Sequence, residues 1–431
     1  MKKIVFIGGY GNSDVGDDSH LTADLINLKR FLPDAQFLAL SDNPEYTLKR
    51  HRVKTDFSIK HYLSIQPHLS RIEKLLKLIF RSTVLLFNAR RLRKNKKPIF
   101  LSDDGKRFLE NLKDADLLFN VGGGNINSIR RLGSLYDKFL TYVLCRTFRV
   151  PIILSGQTIG PFYGRFHKRL ANFALNGVNV ITLREKFSKT VLEQIGVTKP
   201  LIKVTADDST LLPPASLKRV KEVFLKEKIT RYHPLIGINM IKLPIFISTK
   251  LKKAKRLLAE IADYLISRYD ARIVFVPMQY IRVADDRIAA SEVLKLMKHK
   301  DKARIIMHEY DDRTIKSVIG QMDLAIGLRY HFIVFAVNSQ VPSIGIYLND
   351  YYSMKIRGIL DLMGQEKYAC GIEEISIKDL INLVEDVLSN KEAIRKKLEE
   401  RTKELGKLSL FSIKCATKLL SQNQRVTHKL G

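Results

Sequence analysis

A basic and aromatic cluster, Arg329-Tyr330-His331, separates an apolar strand pattern from an apolar helix pattern in the C-terminal half of the chain. Burying an arginine and a histidine in such surroundings is costly unless both are paired. A helix N-terminus favours bound anions, and histidine can exchange a proton near neutral pH. The cluster therefore predicts an anion site in which His331 is a general acid or base. The alternative is a core histidine with a satisfied hydrogen bond.

A glycine-rich segment runs from Gly8 to Asp18, directly after the first predicted strand. Glycines at a strand-to-helix turn let the backbone approach a ligand, and the helix N-terminus favours anions. The spacing is not GxGxxG, and no Walker lysine follows. Gly11 and Asn12 are candidate ligand contacts. Asp17 is either a helix cap or a base that accepts a proton from a substrate hydroxyl.

Two polar loops follow buried strands in the N-terminal half. The first contains three consecutive glycines, more than a tight turn needs. Gly123, Gly124 and Asn125 are therefore candidate ligand contacts at the carboxyl edge of the predicted sheet. The second loop carries Gln157 among small residues, which suits a sugar or a carboxylate better than covalent catalysis.

Two more side chains follow strands. Arg184 offers a planar fork that suits a carboxylate or a phosphate. Its alternative is a salt bridge to Glu185, to Asp207 or to Asp208. Gln279 follows a strand of the second half and could line the same site as the basic cluster. Asp285 and Asp286 lie just beyond it, and they either line that site or cap the next helix.

Short apolar runs alternate with amphipathic helix patterns along the chain. Runs rich in Val, Ile and Leu are typical of strands buried on both faces of a parallel sheet. The alternation predicts an α/β protein with two doubly wound, Rossmann-like domains. The strand candidates are Lys3–Gly8, Gln36–Leu40, Leu117–Val121, Ile152–Ser155, Val180–Leu183, Leu235–Asn239, Arg272–Pro277, Leu324–Gly327 and Ser343–Tyr347.

A domain boundary is expected at Pro213-Pro214, because two prolines continue neither a helix nor a central strand. The predicted N-terminal domain covers residues 1–213 and carries the glycine-rich loops of the acceptor side. The predicted C-terminal domain covers 214–390 and carries the Arg-Tyr-His cluster of the donor side. A helical tail is expected over 391–431.

Several classes of protein are disfavoured by what the sequence lacks. No apolar run reaches the roughly 18 residues of a transmembrane helix. The three cysteines have no CxxC spacing, so free thiols in a reducing cytoplasm are expected. No cluster has metal-ligand spacing and no GxSxG elbow occurs, so neither a metal nor another cofactor is expected.

The formal net charge of +30 attracts polyanions. Residues 71–97 combine an amphipathic helix pattern with a basic end, which allows peripheral contact with an anionic membrane. The alternative is a helix packed on the sheet with a solvated basic end. Because the aromatic–basic interleaving of nucleic-acid modules is missing, no specific nucleic-acid partner is expected.

Taken in order, these segments resemble the motifs of the polysaccharide pyruvyl transferase family over residues 4 to about 365. Tyr330 stands where family members often have leucine. The segments that carry the resemblance are Gly9–Asp17, Gly122-Gly123-Gly124, Gly156–Pro161, Leu183-Arg184-Glu185, Ala206-Asp207-Asp208, and Arg329 with His331.

The resemblance implies a GT-B-like pair of Rossmann domains facing a central cleft. It implies transfer of pyruvate from phosphoenolpyruvate, as a ketal, to a sugar of a cell-surface glycan or its lipid-linked precursor. It further implies that Arg184 and Arg329 hold the donor's carboxylate and phosphate with help from Tyr330, and that His331 is the acid. Asp17 is the candidate base.

Two other functions remain open from the residues. A GT-B glycosyltransferase that uses a nucleotide sugar would need acidic residues to hold the ribose at the second-domain helix, where Arg329 and His331 stand instead. A non-catalytic basic protein would bind membrane or nucleic acid through its charge alone.

Overall fold

The computed structural model describes residues 1–64, 70–129, 132–243 and 248–427. The chain forms two compact units, so each is described by itself. Unit 1 comprises Met1–Asn12, His20–Asp208 and Ser409–Gly431, and unit 2 comprises Ser13–Ser19 and Ser209–Leu408.

The two units differ from the predicted domains at Ser13–Ser19 and at residues 209–213, which belong to unit 2 instead of the N-terminal domain, and in the C-terminal tail. The sequence predicts a separate tail over 391–431, whereas residues up to Leu408 group with unit 2 and Ser409–Gly431 with unit 1. The reason is apolar packing, because Ile413 and Ala416 are fully buried in a core of unit 1. Residues 428–431 of the predicted tail lie outside the described part.

A parallel β-sheet forms the centre of unit 1. Its strands are β1 (Lys3–Ile7), β2 (Gln36–Ser41), β3 (Lys54–Phe57), β4 (Leu117–Asn120), β5 (Gly123–Ile126), β6 (Ile152–Ile159), β7 (Val180–Leu183) and β8 (Leu201–Val204). They are ordered β3-β2-β1-β4-β6-β7-β8, and β5 pairs with β6.

Both faces of this sheet are buried. Side chains alternate along a strand, so Ile4 and Phe6 of β1 join one core cluster, whereas Val5 and Ile7 join the other. The helices that follow the strands are α1 (Val15–Phe31), α2 (Pro44–His51), α3 (Ile59–Leu63), α4 (Arg71–Arg93), α5 (Asp103–Lys113), α6 (Leu132–Phe148), α7 (Gly164–Leu175) and α8 (Lys186–Gln194). Helix α1 starts in unit 2 and continues in unit 1.

Unit 2 repeats this architecture. Its strands are β9 (Leu235–Asn239), β10 (Arg272–Phe275), β11 (Ala303–Ile305), β12 (Leu324–Gly327), β13 (Ser343–Tyr347) and β14 (Ala369–Gly371). They pair in parallel in the order β11-β10-β9-β12-β13-β14. The helices are α9 (Leu217–Lys226), α10 (Ser248–Tyr269), α11 (Asp286–Leu296), α12 (Asp312–Ile319), α13 (Tyr330–Asn338), α14 (Asp350–Leu362), α15 (Ile377–Ser389) and α16 (Lys391–Thr427).

The two Rossmann-like α/β units confirm the predicted fold class. The predicted strands are found within a few residues of their expected bounds, and the strands without a prediction are mostly at sheet edges. There, β3 (Lys-Thr-Asp-Phe) has a single apolar residue and β8 (Leu-Ile-Lys-Val) is interrupted by a lysine, so neither gives a continuous apolar run. In the described part of the chain, no helix is long and apolar enough to cross a membrane.

Candidate functional site

The Arg-Tyr-His cluster lies where the strand order of unit 2 reverses. Strand β9 pairs with β10 on one side and with β12 on the other. In open α/β sheets, ligands bind at the carboxyl ends of the strands at such a reversal. Arg329 follows β12 and is the N-cap residue of α13. Its backbone N–H donates to Asn239 Oδ1, at the end of β9, over 2.9 Å.

Arg329 is held by a buried carboxylate. Its Nε lies 3.0 Å from Asp286 Oδ2 and its Nη2 lies 2.8 Å from Oδ1, which is a bidentate pair. Asp286 is 1% exposed, and it also accepts hydrogen bonds from the backbone N–H groups of Met278 and Lys242. The Arg329 side chain keeps 17% of its surface exposed. The pair thus fixes the plane of the guanidinium while one part of it stays accessible.

The start of α1 is fastened to the segment after β10. The backbone N–H of Val15 donates to Met278 O over 2.9 Å, and that of Tyr280 donates to Ser13 O over 3.1 Å. Asp14 and Gln279 form an antiparallel bridge between these donors. This brings Gln279, and the first turn of α1, to the same end of the unit 2 sheet as Arg329.

His331 packs against that first turn. A Cβ atom on Gly16 would lie 1.9 Å from His331 Nδ1, so only glycine leaves room for the ring. Asp14 Oδ1 accepts from the backbone N–H groups of Gly16 and Asp17, both over 3.0 Å, and so caps α1. One donor atom each of Asp14, Asp17 and His331 lies within 4.8 Å of the others.

Asp14 has an unusual acidity. Burial and the neighbouring charge of Asp17 raise the pKa of Asp14 to about 7, while the positive charge of Arg329 acts in the opposite direction. A carboxyl group with such a pKa exchanges protons near neutral pH. Asp14, Asp17 and His331 have the donor types of a cation site, but the cationic Arg329 beside Asp14 disfavours a metal there.

Tyr330 is 4% exposed and lies beside the histidine, with their ring centroids 5.0 Å apart in an edge arrangement. Lys355 Nζ lies 4.9 Å from the Tyr330 ring centroid, on its face. The aromatic ring therefore carries a cation–π contact next to His331.

Among the predicted residues of unit 1, Arg184 lies in a fully buried network. Arg184 donates from Nη1 to Asp207 Oδ2 over 2.6 Å and from Nε to Thr158 Oγ1 over 2.7 Å. The Arg184 and Asp207 side chains are both 0% exposed. The salt bridge considered as the alternative for Arg184 is thus present, with Glu185 a further 3.8 Å contact.

Further titratable groups complete this network. His20 Nε2 lies 3.1 Å from Asp207 Oδ1, and although burial lowers the pKa of His20, the charge of Asp207 raises it above the ordinary value. Burial and the charge of Asp208 raise the pKa of the buried Asp24 well above its usual range. Burial raises the pKa of Asp208 to about 6.

Two glycines of the loops in unit 1 make room for Asp208. The backbone N–H of Gly122 donates to Asp208 Oδ2 over 3.0 Å, and a Cβ atom on Gly122 would lie 2.9 Å from that oxygen. Gly156 has φ +48°, and its Cβ would lie 2.7 Å from Asp208 Oδ1. The expected three-glycine turn is instead part of β5, which contains Gly123, Gly124 and Asn125.

The other candidate contacts of unit 1 are placed as follows. Gln157 is 1% exposed and donates from Nε2 to the carbonyl oxygens of Val121 and Ser155, each over 2.7 Å. Gly11 has φ +89°, and a Cβ there would lie 2.5 Å from Ser41 Oγ. Asn12 is exposed and donates to Gly9 O over 3.3 Å.

Unit 2 therefore brings together Asp17, Gln279, Arg329, Tyr330 and His331. The sequence did not single out Asp14 and Asn239, and it left Asp286 between a helix cap and a site residue. Asp285 is the cap, accepting from the backbone N–H of Arg287, and Asp286 is the partner of Arg329. The only sequence signal was the doubled aspartate after a predicted strand.

Comparisons with solved structures agree with this architecture. UDP-GlcNAc 2-epimerase from Neisseria meningitidis bound to UDP-GlcNAc has a TM-score of 0.60 at 12% identity, over 98% of this chain and 100% of that one. HepE from Anabaena in complex with UDP has a TM-score of 0.57 at 11% identity, with the same coverage. At such identities the likeness shows a shared GT-B-like fold.

Comparisons of sequence are more specific. The amylovoran biosynthesis protein AmsJ from Erwinia amylovora is 23% identical over 300 residues, which are 68% of this chain and 70% of that protein. The model of the family described as polysaccharide pyruvyl transferase matches residues 15–350, from the first turn of α1 to the first residue of α14. The chain belongs to the polysaccharide pyruvyl transferase family.

Proposed function

We propose that this transferase moves pyruvate from phosphoenolpyruvate onto a pair of sugar hydroxyls, forming a ketal on a cell-surface glycan or its lipid-linked precursor. The observation that carries the proposal is the bidentate Arg329–Asp286 pair beside His331 at the carboxyl edge of the unit 2 sheet. Membership of the family and the likeness to an amylovoran biosynthesis protein support a role in exopolysaccharide biosynthesis.

Arg329 suits the donor because phosphoenolpyruvate carries a carboxylate and a phosphate. A guanidinium whose plane is already fixed loses little freedom when it binds an oxyanion. Nε and Nη2 of Arg329 donate to Asp286, so Nη1 is the guanidinium nitrogen that we propose binds the ligand. Arg184 is proposed as the second donor contact, which requires it to exchange its present bond to Asp207 for the ligand.

In the proposed reaction, His331 gives a proton to the methylene carbon of phosphoenolpyruvate, and positive charge develops at the adjacent carbon. One sugar hydroxyl attacks that carbon and transfers its proton to Asp17, the proposed base. The second hydroxyl replaces phosphate, which leaves with the second proton. Asp17 then returns the first hydroxyl proton to His331, whose ring nitrogen lies within 4.8 Å of an Asp17 carboxylate oxygen, and this replaces the proton that His331 gave to the new methyl group. The second hydroxyl proton leaves on phosphate, so the reaction balances without an oxidant or reductant.

The remaining predicted contacts complete the proposal. Tyr330 supports His331 through its edge contact, and the backbone bridge to Asp14 holds Gln279 beside the first turn of α1. The acceptor is assigned to unit 1, through Gly11, Asn12, Gly123, Gly124, Asn125 and Gln157. The three free thiols, Cys145, Cys370 and Cys415, support action in the reducing cytoplasm.

The acid assignment is tested with His331→Ala. Transfer of pyruvate to glycan from cells lacking this protein, followed by NMR of the ketal methyl group, should fall by about 10²–10⁴-fold. Calorimetry should still detect binding of phosphoenolpyruvate to this variant, since Arg329 remains. The matched control is His299→Ala in unit 2, whose ring Nε2 lies 3.2 Å from Ser267 Oγ and which should transfer at the wild-type rate. Full activity in His331→Ala would refute the assignment.

The donor is tested by calorimetric titration with phosphoenolpyruvate and with UDP-GlcNAc. Binding of phosphoenolpyruvate that is lost in Arg329→Met supports pyruvyl transfer. Tight binding of the nucleotide sugar alone would favour the glycosyltransferase alternative.

A further inference from the structure

Helix α4 exposes an apolar stripe that the core of unit 1 does not use. Its C-terminal half packs inward, with Leu85, Ala89 and Leu92 in a core cluster. On the outer side, apolar residues recur at helical spacing and form one continuous face. These side chains are 48% to 72% exposed and are Ile72, Leu75, Leu76, Ile79, Phe80 and Phe87.

The stripe belongs to a well-formed helix. Ser70 and Glu73 form a capping box at its start, which fixes the first turn although that turn is exposed. The side chain of Arg81 donates to Tyr62 O over 2.8 Å and ties the middle of the helix to the segment before it. The stripe is therefore a defined surface.

A dense positive charge accompanies the stripe. Residues 71–97 contain ten lysines and arginines and one glutamate. The chain beyond α4 folds back along the helix, because Arg91 Nε donates to Lys97 O over 3.0 Å and Asn88 bonds both backbone groups of Ile99. Phe100 then stands 91% exposed. The basic residues exposed at this end are Arg90, Arg93, Lys94, Lys96 and Lys97.

Helix α7 adds a second patch of the same kind. Both α4 and α7 pack on α6. Around α7, aromatic and basic side chains are exposed together, namely Tyr163, Phe166 and Phe173 with Arg165, Lys168 and Arg169. Unit 1 therefore carries two mixed apolar and basic helices supported by one common helix.

We propose that α4, residues 94–100 and α7 form a docking surface for an anionic lipid bilayer, with α4 lying in the plane of the interface. Leucine, isoleucine and phenylalanine enter the acyl boundary, and lysine and arginine meet the acidic headgroups. A second copy of this chain is disfavoured, because two surfaces of such positive charge repel. A nucleic acid would bind the positive charge, but it has no apolar surface that would cover an aliphatic stripe.

The proposal is tested with the full chain and two kinds of vesicle, phosphatidylcholine alone and phosphatidylcholine mixed with phosphatidylglycerol. We expect co-sedimentation with the anionic vesicles that weakens as salt is raised. Leu76→Ser/Phe80→Ser and, separately, Arg93→Glu/Lys94→Glu should each lower the binding by at least about 10-fold. Both substituted pairs lie on exposed positions, so thermal unfolding by circular dichroism should be unchanged.

Helix α9 of unit 2 offers matched controls. Leu225 is 83% exposed, and Lys218 and Lys221 are exposed beside it. Leu225→Ser and Lys218→Glu/Lys221→Glu should leave vesicle binding unchanged. An equal loss in these variants, or no loss in the α4 variants, would overturn the proposal. So would salt-dependent binding to duplex DNA without binding to vesicles, or self-association that the α4 variants abolish. Vesicle binding does not depend on pyruvyl transfer. Transfer is measured in a separate assay with phosphoenolpyruvate, which is soluble.

Discussion

The two units hold an arginine at corresponding edges of similar sheets, in two different ways. In unit 1, the Arg184 and Asp207 side chains are both inaccessible to solvent, and His20 joins them. In unit 2, the Arg329 side chain is paired with Asp286 but keeps 17% of its surface exposed. The same ion-pair chemistry thus gives a fully buried network in one unit and a partly exposed pair, the proposed donor contact, in the other.

The glycines beside these networks differ between the two units in a similar way. In unit 1, Gly122 and Gly156 leave room for the carboxylate of Asp208, which belongs to the protein itself. In unit 2, Gly16 leaves room for His331, the proposed acid. A glycine after a strand therefore indicates close approach, and only the structure shows whether the approaching group is a buried side chain or a reactive one.

The largest difference should appear in stability. Arg184→Met leaves Asp207 buried without its guanidinium, which should cost about 3–5 kcal/mol of unfolding free energy. Arg329→Met should cost less, about 1–3 kcal/mol, because the N–H groups of Met278 and Lys242 still donate to Asp286. The chain has no tryptophan, so urea unfolding is followed by circular dichroism. Equal losses would contradict the division into a buried network and a partly exposed pair.

Arg184→Lys separates structure from donor binding at the same position. It keeps the charge but loses the fork, so the full chain should remain folded. If Arg184 contacts the donor, the KM for phosphoenolpyruvate rises while the kcat changes less. An unchanged KM in a folded variant would confine Arg184 to its structural pair with Asp207.

A smaller effect is expected from Gly16→Ala. The added methyl group meets the His331 ring and must displace it, and a misplaced acid should lower turnover by about 10–100-fold. The control is Gly406→Ala in α16, where no atom lies within 4 Å of the new Cβ. That variant should keep full activity and gain about 0.5–1 kcal/mol from helix propensity. Normal turnover in Gly16→Ala would mean that the position of His331 does not matter.

The sequence predicted the centres of both sheets and missed much of their edges. Strands β9 and β12 are buried throughout, so their apolar runs are clear. Strand β8 is largely half-buried, and Lys203 interrupts its short apolar run. The Arg329–His331 cluster was detectable because polar residues interrupt an apolar stretch. Its partnership with Asp286, 43 positions away, depends on how two loops meet and could not be predicted from spacing.

The roles of the glycine-rich segments could not be predicted for the same reason, because they depend on residues distant in sequence. From sequence, a glycine that accommodates a ligand looks the same as one that accommodates Asp208. The identity of the occupant at Gly122 and Gly156 is decided by a segment that follows β8, far along the chain. The local glycine pattern therefore indicates a close approach but not which group approaches.

The smallest effect concerns the acidity of Asp14. An unfolded aspartate has a pKa of about 3.9, whereas that of Asp14 in the folded chain is raised to about 7. Between these values the folded state binds more protons, so its stability falls as the pH rises through this window. Asn keeps the helix cap and cannot ionise. Asp14→Asn should therefore gain about 1 kcal/mol relative to the wild type on going from about pH 4 to pH 8, a value reduced for solvent screening.

Urea unfolding across this pH range measures the gain in Asp14→Asn, and Asp34→Asn at an exposed turn is its control. A pH-independent difference for Asp14→Asn would mean that burial does not raise the pKa of Asp14. A pH-dependent gain together with reduced pyruvyl transfer would indicate that the proposed site of unit 2 retains an ionisable carboxyl group at a cost to stability.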